Sequence, residues 1–214
     1  MNIYEYGNAD AACVLIQAVD EHDLSLIENE VREIGGRTKT PFRLLAVQTA
    51  DWNRDLSPWS APAVFGKEDF GGAAAQTLSG ILSLCGAKEK TYYLGGYSLA
   101  GLFALWAAFQ TDVFTGIAAA SPSVWFPGFL PYMKENRIRT GAVYLSLGNK
   151  EVKARNPVMA TVGDCIRDIY DHLQKTGIEC RLEWNQGNHF QDADFRTAKA
   201  FAWLLHHEET EKKP

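Results

Sequence analysis

Ser98 lies in the run GGYSLAG, with Gly95 and Gly96 before it and Ala100 and Gly101 after it. A hydroxyl ringed by small residues, where an apolar β-rich run turns into an apolar helical run, is the arrangement that presents a serine nucleophile. Small residues two before and two after the serine let strand and helix approach each other. The usual spacing is G-x-S-x-G, and here Ala100 stands for the second glycine. The alternative reading is a glycine-rich turn that ends in a helix N-cap serine. A serine attacks a carbonyl only when a base takes its proton, and that base needs an acid to orient it. The chemistry implied is acyl transfer.

The base must be a histidine downstream of Ser98, just past a strand end. His172 falls inside a long helical run, and His206 and His207 fall in the last turn of the final helix, where a cation complements the helix dipole. His189 follows RLEWNQGN directly and opens the loop after the last strand, so it is the base by position. The acid should follow the strand AVYLSLGN, and the first carboxylate there is Glu151, with Asp164 on the following helix as the alternative. Leu99, at the helix start, offers its backbone N–H to a developing oxyanion. A second donor is expected from the loop VDEHDL, as the backbone N–H of Asp20 or Glu21, with both acidic side chains turned away. Trp52, Trp59, Trp125 and Phe126 lie in loops at the expected mouth, either as pocket walls for a planar or apolar group or as cover over the core. Arg54 can bind a carboxylate or phosphate.

These residues need a scaffold, and the chain alternates short β-rich runs with helical ones. Strands are expected at Cys13 to Asp20, Phe42 to Thr49, TYYLGGYS, GIAAASP, AVYLSLGN and IECRLEWNQ. Helices are expected around Leu24, Ile27, Val31 and Ile34 with a stop at Gly35, then at AAAQTLSGILSLCG, LAGLFALWAAFQ, GFLPYMKENR, VMATVGDCIRDIYDHLQKTG and DADFRTAKAFAWLLHH. Six near-continuous apolar strands with helical crossovers mean a mostly parallel sheet covered on both faces. The connection ADWNRDLSPWSAPAVFGKEDFGG is too long for a plain link and is expected to carry function.

The chain has 214 residues, 46% of them hydrophobic, and a formal net charge of −5. That size suits one α/β domain spanning 1–214, with a charged, frayed tail at about 208–214. The acidic balance and the absence of a basic run argue against a nucleic-acid or anionic-membrane partner. Cys13, Cys85, Cys165 and Cys180 form no CxxC pair, so no zinc site is expected, and they read as reduced core thiols of a cytoplasmic protein. No signal-peptide pattern and no membrane-length apolar stretch is visible.

With GYSLAGLFALWAAF, AAASPSVWF, LSLGNKE, GNHF and NRDLSP in view, the chain resembles the compact α/β-hydrolase esterases of the S-formylglutathione hydrolase-like and siderophore-esterase-like group. The resemblance covers nearly the whole chain. It implies an α/β-hydrolase fold with a minimal lid, Ser98 as nucleophile, His189 as base and Glu151 as acid, and Trp125 lining the pocket. It implies a small-molecule ester as substrate, an acyl-enzyme intermediate, and no metal or organic cofactor. A thioesterase or acyltransferase with the same triad, and an inert binding protein of the same fold, are the alternatives.

Overall fold

The computed structural model describes residues 1–211, with side chains described through His206. In chain order the strands are β1 (Asn2–Gly7), β2 (Cys13–Val19), β3 (Phe42–Gln48), β4 (Ser60–Ala61), β5 (Phe70–Gly71), β6 (Thr91–Tyr97), β7 (Phe114–Ala120), β8 (Ala142–Gly148) and β9 (Glu179–Asn185). The helices are α1 (Glu21–Arg37), α2 (Trp52–Asp55), α3 (Ala74–Leu82), α4 (Leu99–Gln110), α5 (Phe129–Glu135), α6 (Val162–Lys175) and α7 (Ala193–Glu211).

Seven strands form the main sheet in the order β1-β3-β2-β6-β7-β8-β9, all parallel except β1, which runs antiparallel to β3. The inner strands β2 and β8 are buried at every position, which is why, Gln17 and Ser146 apart, their sequences run apolar rather than alternating. α1 and α7 pack one core on one face. α3, α4 and α6 pack the other. α4 is buried from Leu99 to Phe109, so it is hydrophobic all round and not amphipathic.

The chain leaves β2 toward β3 and leaves β6 toward β7, so the connections diverge between the adjacent strands β2 and β6. A crevice opens at such a reversal, outside the carboxyl ends of the strands. Ser98 follows β6 and Asp20 follows β2, and continuing the Gln17–Gly95 register brings the two residues level. The fold therefore places Ser98 and the VDEHDL loop at the same point.

Two expectations are corrected. β1 is an additional strand, invisible to apolar pattern because it lies exposed on the sheet edge. α1 does not stop at Gly35 but runs through both glycines to Arg37, where the Thr38 N–H bonds the Ile34 carbonyl and Arg37 pairs with Glu33 at 3.1 Å. Of the tail expected to fray at 208–214, the backbone continues as α7 to Glu211, and 212–214 lie outside the described residues. The long connection contains α2 and the two-stranded β4–β5 ribbon.

α1 also buries a carboxyl. Glu30 lies against Gln17 of β2, whose Nε2 donates to Glu30 Oε2 at 3.3 Å, and Oε1 of each side chain is buried with no partner. The pair is one donor short, and a proton on Glu30 supplies it. Burial pushes this carboxyl well above the ordinary range, and Asp23 and Asp194 add to the rise against the opposing Gln17 bond. A raised native value means the folded state binds the proton more tightly than the unfolded chain. Stability from Glu30 is thus fully present below the ordinary carboxylate range and declines as pH rises. Glu30→Gln mimics the neutral acid and should raise stability at pH 8 by about 1–3 kcal/mol, the scale of a relieved buried polar group. The check is a pair of melting curves: the gain should be present at pH 8 and shrink toward pH 5.

Candidate active site

Ser98 sits between the last residue of β6 and the first of α4 with φ 57°, a region that favours glycine. Such strain at a strand-to-helix joint is the mark of a nucleophile elbow. The turn is as tight as the sequence implied. A Cβ on Gly96 would meet the Ala100 Cβ at 2.5 Å, so the alanine at the second small position is tolerated because position 96 has no side chain.

Ser98 Oγ lies 2.9 Å from His189 Nε2, and His189 Nδ1 lies 2.7 Å from Glu151 Oε2. An ionised carboxylate only accepts, so Nδ1 carries the proton and the Nε2 lone pair faces the serine hydroxyl. Each group comes from a different strand end: Ser98 after β6, Glu151 after β8, His189 after β9. Glu151 is buried, and its Oε1 accepts from the Gly148 N–H (2.7 Å), Ser121 Oγ (2.8 Å) and Arg196 Nη1 (3.1 Å). Burial pushes this carboxyl up, but bonds from His189, Gly148 and Ser121 outweigh it and hold the group below its ordinary value. Asp164, the alternative acid, lies on α6 with its side chain 92% exposed and pairs with Arg167 at 3.1 Å.

Leu99 is the first residue of α4 and Glu21 the first of α1, so neither N–H has an intrahelical carbonyl. The Asp20 side chain caps α1 by accepting from the Asp23 N–H at 2.7 Å, which turns it into its own helix. Burial, with Asp20 beside it, pushes the Asp23 carboxyl up to about 6.

The pocket residues divide. Trp52 shares a cavity of about 440 Å³ with Asp20, Glu21, Gln48 and Thr49. Arg54 pairs with Asp55, with Nη2 at 2.8 Å and Nε at 2.9 Å. Trp125 is buried edge-on against Phe65 at 5.9 Å, and Trp59 packs on Phe126 at 5.6 Å with its Nε1 donating to the Pro127 carbonyl. Both act as cover over the core. Phe190, next to His189, is 91% exposed and meets the imidazole edge-on at 5.6 Å.

Four further residues converge here that the sequence reading passed over. Ser123 Oγ lies 3.3 Å from Ser98 Oγ; with the Ser98 proton directed at His189, Ser123 is the donor. Ser121, at φ 42°, aims its hydroxyl at Glu151. Tyr97 donates to the His189 carbonyl at 2.8 Å, and burial pushes its phenol up to about 12, which keeps that proton in place. Arg196 carried a legible signal: it is a charge, 1% exposed, beside the apolar residues Ala198, Ala200, Phe201 and Leu204 that α7 turns to the core. Burial pushes the Cys85 and Cys180 thiols up to about 11 and 12, so neither competes as a nucleophile. Among the described residues no three His, Cys, Asp or Glu side chains gather as a metal would require, and no helix is long and apolar enough to cross a membrane.

The sequence matches no known family profile and no curated protein. Solved structures do match. An IroE-like serine hydrolase from Shewanella oneidensis superposes with a TM-score of 0.75 at 16% identity, covering 95% of this chain and 75% of that one. The enterobactin esterase Fes from Shigella flexneri, solved in the presence of enterobactin, superposes at 0.66 with 15% identity, covering 98% of this chain. This chain spans 55% of that esterase's length. A protein of unknown function from Agrobacterium tumefaciens superposes at 0.62 with 12% identity over 95% of both chains. The parallel sheet with its diverging crossovers, the helices on both faces and these neighbours together identify the chain as an α/β-hydrolase in fold.

Proposed function

We propose that the chain is a serine hydrolase that cleaves carboxylic esters through an acyl-enzyme. The observation that carries this reading is the unbroken line from Ser98 Oγ through His189 to a buried, ionised Glu151. Names of the solved neighbours, a serine hydrolase and an enterobactin esterase, point the same way. Ser98 attacks the ester carbonyl as His189 Nε2 takes its proton, and Glu151 stabilises the imidazolium. The Leu99 and Glu21 N–H groups hold the oxyanion, and each is worth about 3–4 kcal/mol of transition-state stabilisation. His189 then returns the proton to the leaving alcohol, and water releases the acyl group by the same steps in reverse.

A fluorophosphonate probe tests the reading. The expected result is a single adduct on Ser98, located by peptide mass spectrometry and lost in His189→Ala. A folded protein that takes no label would move the chain to the inert binding-protein alternative. Hydrolysis of thioesters in preference to oxygen esters would move it to the thioesterase one.

The exposed Phe190 ring makes an apolar platform beside the base, suited to an aromatic or bulky apolar part of the ester. Phe190→Ala should lower kcat/KM for aryl esters by roughly five- to tenfold, the equivalent of losing one aromatic contact of about 1–1.5 kcal/mol. Steady-state kinetics on a p-nitrophenyl ester series reads this directly.

A further inference from the structure

Arg196 is 1% exposed, and no step of the proposed chemistry consumes its charge. A buried guanidinium is costly, and an apolar side chain of similar volume would fill the stripe of α7 at lower cost. What the position holds explains it. Nη1 donates to Glu151 Oε1 (3.1 Å), Tyr97 Oη (3.0 Å) and Ser121 Oγ (3.1 Å), while Nη2 donates to the carbonyls of Gln186 (3.1 Å) and Asn188 (3.0 Å). These partners come from four strand ends, with Ser121 following β7. Tyr97 precedes Ser98 and itself donates to the His189 carbonyl; Gln186 and Asn188 lie in the loop that carries His189; Glu151 holds the imidazole. The fork serves these strand ends and leaves its Nε buried without a partner.

We propose that Arg196 is the positioning residue of this site: it holds the Ser98 strand end, Glu151 and the His189 loop in register. The proposal rests on the serine-hydrolase reading for its kinetic test.

The groups that face the pair are Ser98 and Tyr97 from β6 and its elbow, Ser121 after β7, the Gly148 N–H at the end of β8, Asp23 on α1, and Arg196 on α7. Asp194, also on α7, is engaged by Asn29. Asp192 precedes α7 and is exposed, as is His22 on α1. Lys150 and Lys153 flank Glu151 in sequence but are exposed, where solvent screens them. Arg196 is thus the buried cation against the pair.

The test uses the full chain with Arg196→Met, which loses fork and charge, and Arg196→Lys, which keeps only the charge. Fluorophosphonate labelling rates and p-nitrophenyl acetate kinetics are measured on each. Arg196→Met should lower kcat by about 10²-fold, the scale of a small misplacement at a reacting centre, with KM nearly unchanged. Arg196→Lys, which lacks the planar fork, should lose kcat in the same way. If Arg196→Met does not fold, the neutral Arg196→Gln replaces it. A folded neutral variant with unaltered kcat, or one whose loss lies in KM instead, overturns the proposal. If the unaltered chain takes no label at Ser98, the hydrolase reading falls and the positioning claim with it; a labelled unaltered chain beside a folded variant of full kcat overturns the positioning claim alone.

Discussion

Ester turnover by Ser98→Ala is expected to fall by about 10⁴- to 10⁶-fold, because triad groups act as a unit and their loss leaves only binding and the oxyanion donors. The substitution removes a hydroxyl that lies 2.9 Å from His189 Nε2 and 3.3 Å from Ser123 Oγ. It removes none of the strain, since alanine is as ill suited to φ 57° as serine. Ser98→Gly separates the two effects. It should be equally inactive yet more stable than Ser98→Ala by about 1 kcal/mol, because glycine occupies that backbone region freely. The measurements are kcat, fluorophosphonate labelling and melting temperature on the same preparations. Equal turnover in Ser98→Ala and the unaltered chain would sink the nucleophile assignment, whatever the melting temperatures show.

Glu151→Gln carries the second largest effect, a loss of about 10³- to 10⁴-fold in kcat, the scale seen when a triad acid is made neutral. The reason lies in the donors around it. Three of them, the Gly148 N–H, Ser121 and Arg196, point at Oε1, so the amide oxygen of a glutamine must take that place. The amide nitrogen then faces His189 Nδ1 and donates to it. His189 is driven to carry its proton on Nε2, where it can no longer accept one from Ser98. Unlike Glu151→Ala, which leaves the Arg196 charge buried without its carboxylate and should cost about 3–5 kcal/mol of stability, the glutamine keeps most of these contacts. A pH profile adds a sign. The native Glu151 carboxyl is held below its ordinary value, so its contribution to stability is present above the ordinary carboxylate range and is lost as pH falls through the native value. Glu151→Gln should therefore melt closer to the unaltered chain at low pH than at neutral pH.

Much of this arrangement was local enough to read from the chain. A nucleophile elbow needs small residues within two positions of the serine, and the glycines around Ser98 and the apolar runs on either side state that need directly. His189 was legible for a similar reason: it is the downstream histidine that opens a loop after a strand, and strand ends are local events. The parallel sheet followed from strands that are apolar on both faces, which only double burial explains.

Tertiary structure decided what depends on strand order. Glu151 and Asp164 are both acids downstream of the same strand, but the single 3₁₀ turn Glu151–Lys153 after β8 brings Glu151 against His189, while α6 carries Asp164 to the surface. Arg54 reads in the sequence as a cation for a carboxylate or phosphate, and the fold sets the Asp55 carboxylate beside it. Trp125 reads as a pocket wall until Phe65 and Phe70 close over it. β1 has no apolar signature because an edge strand buries too little to need one. Arg196 was visible only as a charge on an apolar stripe. Its meaning required Tyr97, Glu151 and Asn188 to meet at one point, which sequence distance hides and the sheet order β6-β7-β8-β9 creates.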